Sequence, residues 1–205
     1  MMYKTVKKGA DAEFVEKKSR FISHVLPVKT EQEALDFINE HKSKYWDATH
    51  NVYAYVLRDN NIQRYSDDGE PSGTAGVPVL DVIRKEGLTD TVVVVTRYFG
   101  GTLLGAGGLV RAYTKSAKLG IDESGIVTMG MCGIYKVTVD YDLLGKAQNT
   151  IAEHGSRVEN ADYKENVVLD VIVSQEDGFK ETLTDALNGR VRINKTGERF
   201  MPVER

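Results

Sequence analysis

Residues 64–116 read RYSDDGEPSGTAGVPVLDVIRKEGLTDTVVVVTRYFGGTLLGAGGLVRAYTKS, and this stretch decides the fold of the first part of the chain. Within it, the apolar run 91–96 lies between two glycine-rich corners. Four consecutive valines at 92–95 predict a strand that is buried on both faces, because β-branched residues without polar alternation are typical of such strands. A helix is predicted to begin directly after the second corner, near Gly107 or Gly108.

The second corner is rich in glycine, with Gly100, Gly101, Gly105, Gly107 and Gly108. Glycines cluster where the backbone turns sharply or where another group approaches it closely. A helix N-terminus after such a loop presents free N–H groups and a partial positive charge, which suits an anion. The alternative is that the glycines only let the helix pack against the sheet. The sequence leaves both interpretations open.

Basic residues accompany this corner, since residues 91–121 contain no Asp or Glu. Helical spacing places Arg111, Lys115 and Lys118 on one face. The opposite, inner stripe is predicted to consist of Leu109, Val110, Tyr113 and Ala117. The predicted nucleic-acid or phosphate-binding residues are Arg64, Arg97, Gly100, Gly101, Gly105, Gly107, Gly108, Arg111 and Lys115.

The whole chain is not basic: its 205 residues carry a formal net charge of −3. This balance argues against a protein that binds nucleic acid through bulk charge alone. The single cysteine, Cys132, excludes an intramolecular disulfide and a multi-cysteine metal cluster. The N-terminal residues lack the apolar segment of a signal peptide, and no run reaches the ~18 apolar residues that a membrane span needs. We therefore expect a cytoplasmic protein.

The first corner carries the carboxylates Asp67, Asp68 and Glu70. Paired carboxylates can hold Mg²⁺, but Asp-Asp-Gly is also good turn chemistry, so these three are weak metal candidates. The second corner contains neither a P-loop motif nor a complete G-x-G-x-x-G fingerprint. The four histidines show no zinc-protease spacing, and no cofactor is expected.

The chain is predicted to be an α/β (α+β) protein with two domains, 1–125 and 131–205. Thr30 and Glu33 form a capping box that opens a helix, and strands are expected at 20–28, 51–57 and 62–65. The polar segment 122–130 is interpreted as the boundary. Beyond it the predicted order is βαββαβ, with a last strand that bends near Gly197. This is the ferredoxin-like arrangement.

The two motifs at residues 64–80 and 92–113 strongly resemble those of the YigZ/IMPACT family, in wording and in separation. The match spans about residues 13–120. The resemblance implies an N-terminal domain of the kind shared by a small-subunit ribosomal protein, RNase PH and elongation factor G. It also implies a ferredoxin-like C-terminal domain similar to one in elongation factor G, as bacterial members carry. Eukaryotic relatives act in translational control, but they lack this C-terminal domain, and no catalytic residue can be transferred.

The first functional hypothesis is therefore a non-enzymatic binding protein linked to translation or its regulation. Its partners would be RNA, the ribosome or a translation factor; no DNA-specific or membrane signal is present. The second hypothesis is a Mg²⁺-dependent small-molecule phosphotransferase of sugar-kinase-like fold, in which Asp67, Asp68 and Glu70 would hold the metal. A third is a pure protein-interaction adaptor.

Overall fold

The computed structural model describes residues 2–203 of the chain. These residues form two compact units, Tyr3–Thr128 and a second made of residues 129–203 with Met2. The elements in chain order are β1 (Met2–Val6), β2 (Ala10–Glu16), β3 (Ser19–Pro27), α1 (Glu31–Lys44), β4 (His50–Val56), β5 (Gln63–Ser66), α2 (Gly76–Lys85), β6 (Thr91–Tyr98), α3 (Ala106–Ser124), β7 (Ile126–Val139), α4 (Leu144–Glu153), β8 (Arg157–Tyr163), β9 (Val167–Val173), α5 (Phe179–Ala186) and β10 (Arg192–Pro202).

The first unit is built on a five-stranded sheet of order β2-β3-β6-β4-β5. All neighbouring strands in it are antiparallel. Its centre is β6, in which residues 92–95 are completely buried. Side chains of α2 and α3 cover one face of the sheet, and α1 covers the other. The prediction of a strand buried on both faces is thus confirmed.

Local chemistry accounts for the helix ends in this unit. The Thr30 side chain accepts a hydrogen bond from Glu33 N at 3.2 Å, and Glu33 Oε2 accepts one from Lys29 N at 2.6 Å. The first bond is the one predicted at the start of α1, whereas the return bond of the capping box goes to the N–H of Lys29, one residue before the cap. The predicted inner stripe of α3 is correct for Leu109, Tyr113 and Ala117 but wrong for Val110, which is 38% exposed. Helical spacing places Val110 at the edge of that stripe.

The second unit has the order β7-α4-β8-β9-α5-β10, which is the predicted βαββαβ arrangement. Its strands form an antiparallel sheet of order β10-β7-β9-β8. The helices α4 and α5 bury their apolar faces with this sheet in one core. The register of β10 shifts between Lys195 and Gly197, at the predicted bend.

The polar segment 122–130, predicted as the boundary between the domains, has regular structure along most of its length. Helix α3 continues through it to Ser124, and β7 begins at Ile126. Gly125, with φ of 66°, makes the turn between them. A left-handed glycine completes the change of direction in one residue, so no extended polar connection is needed. Among residues 2–203, no helix has both the length and the apolar character required to cross a bilayer.

Candidate functional site

Arg97 lies at the end of β6, but it does not present its charge to solvent. Its side chain is 5% exposed, and its Nη1 donates to Glu70 Oε1 at 2.5 Å. Its Nη2 donates to Ser19 Oγ at 3.3 Å. The expectation that Arg97 contacts phosphate is therefore corrected: its guanidinium forms a buried ion pair that joins β6 to the first glycine corner.

Aromatic rings and a second donor enclose this ion pair. The Arg97 guanidinium carbon lies 5.4 Å from the centre of the Phe21 ring and 5.6 Å from that of Phe99. Tyr113 on α3 donates its hydroxyl to the same Glu70 oxygen at 2.7 Å. Burial and the neighbouring Glu70 carboxylate raise the pKa of Tyr113 well above its ordinary value. Glu70 is consequently held by two buried donors and links α3 to the sheet.

The other two carboxylates of the first corner also have structural partners. Asp67 Oδ1 accepts hydrogen bonds from the backbone N–H groups of Ala75 and Gly76, at 3.1 and 2.8 Å, and Oδ2 accepts from Gly73 N at 2.9 Å. Asp67 thus occupies the N-terminus of α2, where a negative charge is stabilised.

Asp68 points away from both Asp67 and Glu70, toward α1 and β4. Its Oδ1 accepts from Lys42 Nζ at 2.7 Å, and its Oδ2 accepts from Asn51 N at 2.6 Å. Within residues 2–203, Asp67, Asp68 and Glu70 do not form a group whose ligand atoms lie within 4.8 Å of one another. The carboxylates on which the phosphotransferase hypothesis depended therefore diverge.

The five glycines of the second corner have different roles. A Cβ atom at Gly100 would lie 2.0 Å from the carbonyl carbon of Lys18, so the loop packs directly on the turn between β2 and β3. Gly101 and Gly105 have φ of 80° and 72°, which other residues rarely adopt. A Cβ at Gly108 would meet Leu104, whereas one at Gly107 would meet only Arg111 Nη1, at 3.7 Å. Close packing therefore explains Gly100 and Gly108, and backbone conformation explains Gly101 and Gly105, whereas neither explains Gly107.

The N-terminus of α3 differs from that of α2. The cap residue of α3 is Gly105, which makes no side-chain capping bond, and no acidic residue stands in the first turn. The helix therefore leaves backbone N–H groups without an intramolecular carboxylate at its positive end. The same chain fills one helix N-terminus with its own carboxylate and leaves the other uncapped by any side chain.

A groove runs beside this uncapped end. It encloses a cavity of about 250 Å³, lined by Phe14, Glu16, Lys17, Leu104, Gly108, Arg111, Ala112 and Lys115. Arg111 and Lys115 are exposed and form no ion pair with residues 2–203. Lys115 Nζ lies 4.6 Å from the centre of the Phe14 ring. We call this surface, made of Lys17, Arg111, Lys115 and residues 100–108, the α3 groove.

Arg64 is not part of the α3 groove. It lies on β5, at the sheet edge opposite β2, and its Nη1 donates to Gln63 O at 3.0 Å. It pairs directly with Tyr55, whose side chain faces the α1 side of the sheet. Of the predicted cations, Arg111 and Lys115 therefore share one surface, one turn apart on α3. Arg64 lies at another edge of the sheet, and Arg97 is buried.

The α3 groove also contains Lys17, which the sequence pattern did not identify. Lys17 and Lys18 form the turn between β2 and β3, with φ of 45° and 67°. The turn lies opposite the glycine corner because β3 pairs with β6 along its whole length. In the sequence, the signal for this turn was two adjacent lysines between two strands. Only the sheet register shows that these lysines face the glycine corner.

Comparison with known proteins places this geometry in a family. The sequence model of the Impact N-terminal domain matches residues 17–121, and that of a domain of unknown function (DUF1949) matches residues 137–190. IMPACT family member YvyE of Bacillus subtilis is 47% identical over 199 residues, covering 96% of this chain and 91% of that protein. IMPACT family member YigZ of Escherichia coli is 30% identical, covering 86% and 89%.

A solved structure agrees with this assignment. A crystal structure described as that of a hypothetical protein superposes with a TM-score of 0.61 at 27% identity, covering 96% of this chain and 98% of that one. The fold and the two matches define a two-domain α/β protein, with an Impact N-terminal domain followed by a DUF1949 domain. The chain belongs to the IMPACT family.

Proposed function

We propose that this protein is a non-enzymatic binding protein linked to translation or its regulation, and that it engages RNA, in the ribosome or free, through the α3 groove. The observation that supports this most directly is the N-terminus of α3, which lacks a side-chain cap, beside Arg111 and Lys115, two cations without an ion pair among residues 2–203. A helix N-terminus and adjacent Arg and Lys side chains are suited to phosphate.

The arrangement of charge suits a phosphate backbone better than a single small anion. Lys17, Arg111 and Lys115 line one groove, and Glu16 is the acidic residue among its lining side chains. Phosphate contacts of this kind depend on salt, because each one releases condensed counterions. The formal net charge of −3 for the chain is consistent with affinity that comes from this local surface.

A protein partner is the second candidate, and one observation favours it. Leu103 is 82% exposed and Phe99 is 45% exposed, both on the loop that precedes α3. Exposed apolar side chains beside a basic groove are suited to a translation factor or ribosomal protein that offers a matching apolar contact. Leu103→Ser would weaken such a contact and leave phosphate binding unchanged.

The test is equilibrium binding of the full chain to ribosomes and to tRNA across a salt series. Arg111→Ala and Lys115→Ala should each weaken binding, and each should reduce the slope of log affinity against log salt by about one unit. Lys118→Ala is the matched control. Lys118 lies on the same helix, but it forms ion pairs with Asp122 and with Glu86 Oε1.

Wild-type affinity and an unchanged salt slope in the Arg111→Ala/Lys115→Ala double variant would refute the RNA proposal, provided that its circular dichroism matches the wild type. If binding to ribosomes is then lost in Leu103→Ser, the adaptor becomes the leading function. Equal weakening by Lys118→Ala would show that the effect is general electrostatics rather than contact in the α3 groove.

A further inference from the structure

Three metal-ligating side chains meet on the α1 side of the first sheet, away from the α3 groove. Asp11 and His24 stand directly opposite each other across the β2–β3 ladder, so their side chains share one face. His41 on α1 lies over them, with its ring centre 4.3 Å from that of His24. The neighbours of this cluster are the stacked ring of Tyr45, 4.9 Å from His24, and Phe37.

The hydrogen bonds determine which nitrogen of His24 is free. His24 Nδ1 lies 2.8 Å from Asp11 Oδ1. An ionised carboxylate only accepts hydrogen bonds, so Nδ1 carries the hydrogen and Nε2 of the neutral ring carries a lone pair. His24 is fully buried, and its Nε2 has no hydrogen-bond partner among the residues that the structure describes. A buried acceptor without a donor requires an explanation.

His41 repeats this arrangement. Its Nδ1 lies 2.9 Å from the carbonyl oxygen of Phe37, which also only accepts, so its Nε2 likewise carries a lone pair. One ligand atom from each of Asp11, His24 and His41 lies within 4.8 Å of the others. Histidine ligands of metals usually donate their other ring N–H to a carboxylate or a backbone carbonyl. Both histidines already have that outer support.

We propose that Asp11, His24 and His41 form a binding site for a divalent transition-metal ion of the zinc class. Imidazole nitrogens suit zinc, copper, nickel and iron, whereas Mg²⁺ and Ca²⁺ prefer oxygen ligands. The two Nε2 atoms would ligate the ion. Asp11 would either continue to orient His24 or supply an oxygen ligand directly.

Ligands of a tetrahedral zinc ion lie roughly 3.3–3.5 Å apart, given bonds of about 2.0–2.1 Å. One ligand atom from each of the three residues lies within 4.8 Å of the others, so the side chains must draw closer when the ion binds. To supply an oxygen ligand beside His24 Nε2, Asp11 must also leave its hydrogen bond to His24 Nδ1. The Asp11 side chain is 61% exposed and lies on the edge strand β2, so it can move. With three protein ligands, a water molecule would complete the coordination, because Asp11 opens the site to solvent.

The test is titration of untagged, chelator-treated protein with ZnCl₂, followed by a competing chromophoric chelator. We expect one zinc ion per chain and a rise in melting temperature, because a ligand that binds only the folded state stabilises it. His41→Gln should weaken zinc binding at least tenfold. Asp11→Asn should weaken it about 10- to 100-fold. MgCl₂ at the same concentration should leave the melting temperature unchanged.

His154→Gln is the matched control, since His154 also lies beside a phenylalanine ring but belongs to the second unit. It should bind zinc as the wild type does.

His24→Gln removes the buried ligand. If that variant does not fold, His41→Gln and Asp11→Asn decide the question, with circular dichroism to confirm that they are folded. Absence of stoichiometric zinc, or wild-type affinity in folded His41→Gln, overturns the proposal.

Discussion

Replacing Glu70 with glutamine tests whether the buried pair with Arg97 holds the first unit together. The substitution keeps the side-chain shape and removes the charge. Arg97, 5% exposed, would then keep its positive charge without a buried counter-charge, and Ser19 Oγ at 3.3 Å cannot replace a carboxylate. Removing one partner of a buried ion pair costs more than the pair contributes, because the remaining charge stays desolvated.

The expected loss of stability in Glu70→Gln follows from the burial of Arg97 and Glu70. Breaking a buried pair costs about 3–5 kcal/mol, and a typical domain has only about 5–15 kcal/mol of stability. At about 1.4 kcal/mol per tenfold change, opening of the unit should become roughly 140- to 3,700-fold more frequent. The Tyr113 hydroxyl also loses its charged acceptor, which places the result toward the larger value.

Native-state hydrogen exchange of the β6 amides is the assay, because it reports the opening of this unit alone in a two-unit chain. Glu13→Gln is the matched control. Its pair with Arg20 has ordinary geometry, but both side chains are more than 40% exposed. An exposed pair contributes at most about 1 kcal/mol, so exchange should accelerate less than about fivefold. Equal acceleration in the two variants would refute the argument from burial.

Two further predictions concern the glycine corner and His24. Gly100→Ala should lower stability by at least about 2 kcal/mol, since its Cβ would clash with Lys18. Gly107→Ala should be neutral or gain up to about 1 kcal/mol as a helical position with open space; indistinguishable melting temperatures would contradict this contrast. Burial lowers the pKa of His24 below 6.5, partly offset by the hydrogen bond to Asp11, while His41 and Lys44 lower it further. The unfolded chain then binds more protons, so in metal-free buffer the stability contributed by neutral His24 is fully present above its ordinary pKa of about 6.5 and is lost as pH falls below it, through the lowered pKa of the folded state. The decline should be flatter in His24→Gln than in His154→Gln; identical pH profiles would remove His24 as the cause.

Much of the fold follows from local sequence patterns. The valines at 92–95 predicted a strand buried on both faces, and Thr30 with Glu33 predicted the start of α1; both are confirmed. The βαββαβ order of the second unit followed from period and turn residues. The polar segment 122–130 was predicted as the boundary between the domains. Its composition did not show that its residues occupy the last turn of α3 and the start of β7.

The candidate site was predictable only in part. Arg111 and Lys115 were identified correctly as neighbours, because four residues return to the same face of a helix. Arg97 looked equivalent to them in sequence, yet it is buried and paired with Glu70. No periodicity predicts that partner, since the two residues are 27 positions apart and meet through the packing of the first corner on β6.

The sequence by itself determined the positions of most helices and strands, the division into an Impact N-terminal domain and a ferredoxin-like domain, and the basic face of α3. These features depend on interactions among residues a few positions apart, which composition and spacing record directly. Only the tertiary structure decided that Asp67 caps α2, that Arg97 and Glu70 are buried together, and that Asp11, His24 and His41 meet. Each of these depends on strand register and on which face of the sheet a helix covers, and contacts of that kind form between residues that no local pattern connects.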